Sequence, residues 1–588
     1  MRCETSFFSL TLYKKHLKRN WPLWAVWLAL WLMILPLQIW NRNVWGSDVE
    51  HFVRYQPMDS INVLAPALAF FAALVAVTTF FHLFKSPAAN FVGALPLRRE
   101  GVFLTAFAAG YTMLVGPLVV VTLVTVLLEG IIGYLTPEIL IFLAAGALNS
   151  FFWLSFAVLC CVISGHGVAA VAFYAIFNFI VPVMLELVEG LLSGFLYGFV
   201  GFGDGVYEAC NWLCPVIRLT QHSWHSGMGF DDWNMLAIYA AVGFLMTLCA
   251  VGLHHIRKAE RSGDLIAFDP IKWLFKICVT GCGGVGFGTL FTLIIFGSDD
   301  LPDGWKFGVC CAVAAFLCYM AAEMLLTKSF KVWKRKGSWQ GALISAVAFV
   351  LVMAAVDMDW IGFTTRVPDP ASVKTVTASF GGTGLSSAAD NGLKFTGEDV
   401  KAITDLHQYL VEHRDEDDYG DKDNYLTVRL EYKLGWTTLR RRYTTWYGDG
   451  DELNQLLDTA LGQGDISFPY DKGTPNYLSL ERWVPAEGGD DKECIGNEIL
   501  AEDMKAVWDA VTADVKAGRY CLKSSDIQTT DAVNTGTIGA EWYTNNSQSR
   551  YWLKFSPKLT ETWKVLKDLG YLDRETGYSY AKTEVQIG

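Results

Sequence analysis

The sequence predicts a polytopic α-helical membrane protein of about nine spans with a soluble α+β domain after them. Three observations predict it. Apolar runs of roughly 17–25 residues, long enough to cross a bilayer, recur up to residue 356. The connections between them alternate between cationic and acidic. From about Asp357 the composition becomes that of a soluble domain, although the chain as a whole is 52% hydrophobic with 22 Trp.

The first element, residues 1–20, sets Phe7, Phe8, Leu10, Leu12 and Tyr13 beside Lys14, Lys15, Lys18 and Arg19. This pattern predicts an amphipathic helix at the membrane surface. The run Trp21–Trp40 has no small-residue cleavage site after it, so it reads as a first span rather than a signal peptide. Further spans are predicted at 61–84, 102–128, 138–163, 167–187, 235–254, 271–296, 307–326 and 339–356.

Cations mark the N-terminus, the second connection (Lys85, Arg98, Arg99), the sixth (Arg257, Lys258, Arg261) and the eighth (Lys328, Lys331, Lys334, Arg335, Lys336). The intervening connections carry Asp48, Glu50, Glu129, Asp204, Asp231, Asp299 and Asp303. The positive-inside bias then predicts a cytoplasmic N-terminus and an extracytoplasmic domain at 357–588, in a multi-pass protein of the cell membrane. Net charge is -12, and its surplus sits mainly in that domain, which argues against nucleic acid or anionic lipid as that domain's partner.

Within this frame the second connection, 85–101, stands out. Its apolar-and-small segment Ala88–Leu95 stops at Pro96, which predicts a short surface helix and then a sharp turn. The fourth connection is only Ser164-Gly165-His166. The fifth, 188–234, opens on the Gly-rich apolar stretch GLLSGFLYGFVGFG and predicts a re-entrant hairpin. In the soluble domain, Glu398-Asp399-Val400-Lys401-Ala402-Ile403 recurs as Glu502-Asp503-Met504-Lys505-Ala506-Val507. Each copy starts a helical pattern followed by a strand pair and another helix, which predicts two α-β-β-α units.

Several motifs carry little. Gly281-Cys282-Gly283-Gly284-Val285-Gly286 matches a dinucleotide fingerprint by letter but lies inside an apolar run with no strand before it. Gly284 and Gly288 fit close helix packing instead. No GxxxxGK[ST] occurs, so no ordinary nucleotide-binding loop is expected, and no Ser/His/Asp or Cys/His arrangement can be assembled by spacing, so no catalytic residue, metal or cofactor site is predicted in this chain. His222, His225, Asp231 and Asp232 have ligand-like types without metal-site spacing. Asn149, Asn178, Glu186 and Glu189 are polar groups in spans and candidates for a substrate pathway. Cys210 with Cys214, and Cys494 with Cys521, fall outside by this orientation, where disulfides can form.

Together the amphipathic N-terminus, FHLFKSPAANFVGALPLRRE, the short fourth connection and the re-entrant-looking fifth resemble the permease subunit of an ABC transporter of the ABC-2 exporter type. The resemblance covers residues 1–254 as a six-span core, with 255–356 adding three spans. It implies that Lys85, Ser86, Asn90, Leu95, Pro96, Leu97, Arg98, Arg99 and Glu100 form a coupling loop for a separate P-loop ATPase subunit. Ser164, Gly165 and His166 would be a second contact. It also implies a second permease subunit, and ATP with Mg on the partner rather than here. Two rival readings remain open. One is a sensor or receptor whose outer domain binds a peptide or antibiotic. The other is an ion-coupled carrier, which would show conspicuous mid-span acids and symmetric broken helices, whereas the sequence has few such acids and no clear symmetric half.

Overall fold

The computed structural model describes residues 8–45, 61–94, 97–132, 138–220, 224–225, 229–230, 232–297, 304–382, 385, 387–414, 424–435, 437–447, 452–485, 492–520, 522–523, 536–544 and 547–572. The chain forms two compact units. One is Met1–Gly190 with Asp204–Asp357, and the other is Leu191–Gly203 with Met358–Gly588.

The first unit begins with α1 (Leu10–Arg19), α2 (Trp21–Ile34), α3 (Pro36–Trp45), α4 (Ile61–Thr79) and α5 (Ser86–Gly93). It continues with α6 (Arg99–Ile132), α7 (Glu138–Ile163) and α8 (Gly167–Phe195), the last of which runs on into the second unit. Then come α9 (Asp204–Leu213), α10 (Pro215–Thr220) and a two-strand hairpin, β1 (Trp224–His225) with β2 (Gly229–Phe230). Helices α11 (Trp233–Ile256), α12 (Asp269–Phe296), α13 (Gly304–Thr327) and α14 (Lys336–Asp357) complete it.

Among the described residues, eight helices are long and apolar enough to cross a membrane, and Val63–Thr79 is a shorter apolar helix. This is a multi-pass membrane protein. Within a bilayer, lipid tails are as apolar as the helices, so close packing has to hold the bundle together. Helix α7 is the most enclosed span, with 72% of its apolar window buried. Small residues let the backbones approach: a Cβ on Gly243 of α11 would stand 3.0 Å from the Cα of Phe152. Trp27 packs at a tilt against Phe71 at 4.6 Å and Trp31 edge-on against Phe142 at 5.4 Å, both tryptophans being buried. Gly284 and Gly288 play the same part between α12 and its neighbours, facing Phe349 and Cys311. The glycine-rich letters at 281–286 are therefore a packing seam within a helix.

The second unit contains two similar α+β layers. The first holds β3 (Thr375–Gly382), the short α15 (Ser387–Asp390), β4 (Leu393–Phe395), α16 (Val400–Glu412), β5 (Asn424–Leu434), β6 (Thr437–Tyr447), α17 (Glu452–Gln463) and β7 (Asp465–Ile466). The second holds β8 (Tyr477–Pro485), β9 (Lys492–Glu498), α18 (Ala501–Lys516), β10 (Gly536–Thr544), β11 (Ser547–Phe555) and α19 (Thr560–Asp568). The antiparallel sheets have orders β6-β5-β3-β4-β7 and β11-β10-β8-β9. Setting the edge strand β7 aside, the two orders are the same: the later hairpin lies beside the first strand of the earlier one. Each repeat is thus β-β-α-β-β-α, with a leading hairpin absent from the two α-β-β-α units that the sequence pattern predicts. Alternation builds the cores, with Val376, Ala378 and Phe380 of β3 buried against Leu406 and Leu410 of α16.

The expected re-entrant hairpin at 188–203 is not formed. Helix α8 continues to Phe195, and the chain then runs over the second unit. The Arg442 N–H donates to the Gly198 carbonyl at 3.1 Å, Tyr197 packs on Tyr443 at 5.1 Å, and Phe199 packs on Phe363 at 5.9 Å. Gly198 makes the bend at φ +81, a conformation glycine takes without steric cost. Tyr197 and Phe199 of this stretch thus pack on aromatic side chains of the second unit, while Val200 is exposed.

Candidate functional site

One end of the membrane unit gathers the N-terminal helix and the connections that follow α4, α7, α11 and α13. The connection after α4 makes a single 3₁₀ turn, Phe81–Leu83, and Lys85 then takes an extended conformation ahead of α5. Pro87 in the first turn of α5 costs no hydrogen bond there. A helix of eight residues does not persist alone in water, so its surroundings hold it. It lies over the Phe81–Leu83 turn between two clefts of about 140 and 150 Å³, and Val92 lines both. Outward it presents Ser86, Pro87, Asn90 and Phe91, with Phe91 64% exposed. Lys85 sits 5.0 Å over the Phe81 ring. Leu95 and Pro96 lie outside the described residues; Leu97 lines the first cleft and Arg98 is exposed.

Arg99 and Glu100 tie the start of α6 to the end of α11. Arg99 Nη1 donates to the carbonyls of His255 at 3.0 Å and Arg257 at 3.3 Å. Glu100 Oε1 lies 2.8 Å from His255 Nδ1. A cation at a helix C-terminus satisfies carbonyls that the helix leaves unpaired.

The centre of this end is Arg257, which sequence reasoning counts only as a loop cation. It is buried, and its guanidinium donates to the carbonyls of Val162 (2.6 Å), Ser164 (2.8 Å), Cys161 (3.1 Å) and Leu83 (2.8 Å). Burial pushes its pKa down to about 10, so it stays charged at neutral pH. One cation therefore caps α7 and clasps the turn beneath α5. Its place directly after the last apolar residue of a span is the only sequence signal for it.

The short link Ser164-Gly165-His166 is not an open contact surface. The connection 257–268 folds over it: the Gly263 N–H donates to Gly165 O at 2.7 Å, and Ala267 N–H to Ile163 O at 2.8 Å. The Ser164 hydroxyl lies 3.1 Å from Leu265 O. Ser164 and Gly165 are buried, and only His166 is exposed. A three-residue link cannot reach past a longer neighbour, so a partner would meet the 257–268 connection first.

Three histidines lie under this end. His82 is 6.2 Å from His254, ring to ring, and His16 of α1 is buried nearby, lining the same cleft as His82. Burial pushes His82 down to about 3 and His16 to about 4, with nearby positive charge adding to each. Both are neutral at physiological pH.

The remaining predicted residues are scattered. Asn149 of α7 and Asn178 of α8 are buried. Asn178 Nδ2 donates to the Tyr174 carbonyl at 2.8 Å, whereas the Asn149 amide has no hydrogen-bond partner. Glu186 is exposed, and Glu189 accepts from the Tyr207 hydroxyl. Cys210 and Cys214 are free thiols rather than a disulfide. Cys494 lies in β9 with its side chain outside the described residues, and Cys521 lies outside them altogether. His225 lies in β1, Asp232 precedes α11, and His222 and Asp231 lie outside the described residues. Among the described residues no group of three or more His, Cys, Asp or Glu could hold a metal ion.

No family model matches this chain, and no curated protein or solved structure is significantly similar to it.

Proposed function

We propose that this chain is the membrane-spanning permease subunit of an ATP-driven exporter, docking a separate ATPase through α5. The observation that carries the reading is a short helix with an outward Phe91, set between two clefts and fixed at its base to span ends by Arg99, Glu100 and Arg257. A push on α5 would pass through the Leu83 carbonyl and Arg257 to the end of α7, and through Arg99 to α11. Nine spans, counting Ile61–Thr79, with the α5 end cytoplasmic and the second unit outside, complete the proposal. A permease of this kind does no chemistry. Its conformational equilibrium shifts only as far as the docked ATPase favours one state over the other.

The test is affinity purification of the tagged chain in mild detergent from its native cells. A stoichiometric P-loop ATPase, lost with Phe91→Asp and kept with Phe330→Asp, supports the reading. An ATPase that stays bound to Phe91→Asp removes α5 from the docking surface. Absence of any ATPase, under conditions that keep other membrane complexes intact, sinks the exporter.

One observation favours a receptor as the second reading. The edge strand β6 already donates a main-chain hydrogen bond, from the Arg442 N–H to the Gly198 carbonyl, the kind of pairing by which sheets bind peptides.

A further inference from the structure

The tip of the α13–α14 hairpin has features that neither the fold nor the docking proposal uses. Between Thr327 and Gly337 the chain reads KSFKVWKRK, five cations in nine positions, and no carboxylate occurs between Glu323 and Asp357. Such a run would ordinarily be a mobile, solvated loop. Here it is built. Ser329 Oγ accepts from the Lys331 N–H, opening a 3₁₀ turn over Phe330–Lys334. Val332 is buried at the centre of the turn and packs with Met320 and Ala342 from the two helices. Trp339 Nε1 donates to the Trp333 carbonyl at 2.8 Å, and the two indoles meet at 5.6 Å with Phe316 beside them.

This framework holds the cations outward. Lys331, Lys334, Arg335 and Lys336 are all exposed, and none pairs with a described carboxylate. Only Lys328 is matched, bonding Asp264 at 2.9 Å. Next to them Phe330 is 85% exposed, with Trp333 and Trp339 at 44% and 45%. The apolar helices end at Thr327 and restart at Lys336, so every one of these groups lies within about a turn of a membrane-spanning segment.

We propose that the α13–α14 tip is a binding site for anionic phospholipid headgroups. Arg and Lys supply the charge for a lipid phosphate, and Phe330 and the two tryptophans sit at the acyl boundary, where amphipathic rings are favoured. An acidic protein face would match the cations equally well. The bare Phe330 beside the span ends favours the bilayer, because water would otherwise surround it. Unlike the docking reading, this site needs no partner subunit.

The experiment uses the full purified chain. It is exchanged into detergent micelles containing equal phosphatidylglycerol and phosphatidylcholine, and retained lipids are counted by native mass spectrometry. The expected result is a preference for phosphatidylglycerol that falls about tenfold or more in K331Q/K334Q/R335Q/K336Q. It should survive K505Q/K558Q/K564Q/K567Q, which removes the same charge from exposed sites of the second unit. In the unaltered chain the preference should also collapse between low and high salt, since exposed charges are screened. That arm stands even if the tip variant fails to fold. No preference in the unaltered chain, equal loss in both variants, or a tip variant that keeps its lipid while losing a bound acidic protein, overturns the proposal.

Discussion

Arg257 donates from Nη2 to the Leu83 carbonyl at 2.8 Å, while its Nη1 serves the last carbonyls of α7. Removing that guanidinium leaves buried carbonyls of two connections unpaired at once. Arg257→Gln is expected to cost about 3 kcal/mol or more, and Arg257→Lys to recover only part of it, because an ammonium lacks the fork that reaches both sides. Thermal unfolding of the detergent-purified chain, followed by loss of the monodisperse peak on size exclusion, measures both.

Gly165 and Gly93 make a matched pair. A Cβ on Gly165 would collide with the carbonyls of Arg261 and Asp264, whereas one on Gly93 meets nothing within 4 Å. Gly165→Ala is expected to destabilise by about 2–3 kcal/mol, because the obstructing atoms are backbone. Gly93→Ala should be neutral or stabilise slightly through helix propensity. If the two variants unfold at the same temperature, the 257–268 connection does not cover the link.

His407 gives the second unit a pH dependence. It is buried, with Tyr432 and Tyr443 hydroxyls at 3.0 and 2.7 Å, and burial, reinforced by Arg441, lowers its pKa from 6.5 to about 3. The unfolded chain therefore takes up the proton more readily than the folded one. The contribution to stability is complete above 6.5 and declines as pH falls from 6.5 toward 3. Between pH 7.5 and pH 5 the loss should be about 2 kcal/mol. Hydrogen exchange of α16 and β5 in the full chain, corrected for intrinsic rates, should show it, and His407→Gln should flatten the profile.

Gly198 tests how residues 196–203 are held as a strap on the rest of the second unit. Its φ of +81 and the Tyr443 ring against its Cβ position both forbid a side chain. Gly198→Ala is expected to release 196–203, raising exchange at the Arg442 amide at least tenfold while leaving β10 and β11 protected. Unchanged exchange at Arg442 would mean the strap is not held through this residue.

Much of this architecture was readable in the residues because length and periodicity are local properties. The apolar runs mark the spans, and α5 follows from a short helical segment before Pro96. The repeat was half legible. Its hairpins β5–β6 and β10–β11 alternate clearly, but β4 has only three residues and β9 carries Lys492, Glu493 and Asn497, so neither leading hairpin reads as strand. Leu191–Gly203 misled because apolar, Gly-rich letters do not say whether lipid or protein will cover them. Arg257 was invisible for a similar reason: its four acceptors are backbone carbonyls, which every residue has, and the farthest lies 174 positions away.

The strap also sets an order of events in synthesis. Roughly 240 residues separate Gly198 from Arg442, which at about 5–20 residues per second is a delay of roughly 12–50 s. Through that interval Tyr197 and Phe199 have no cover from the second unit, while α11–α14 are made and placed. A message cut short after α14 would thus not yield a simpler membrane protein. It would yield one whose fifth connection keeps waiting for a surface that never arrives, a natural mark for quality-control proteases.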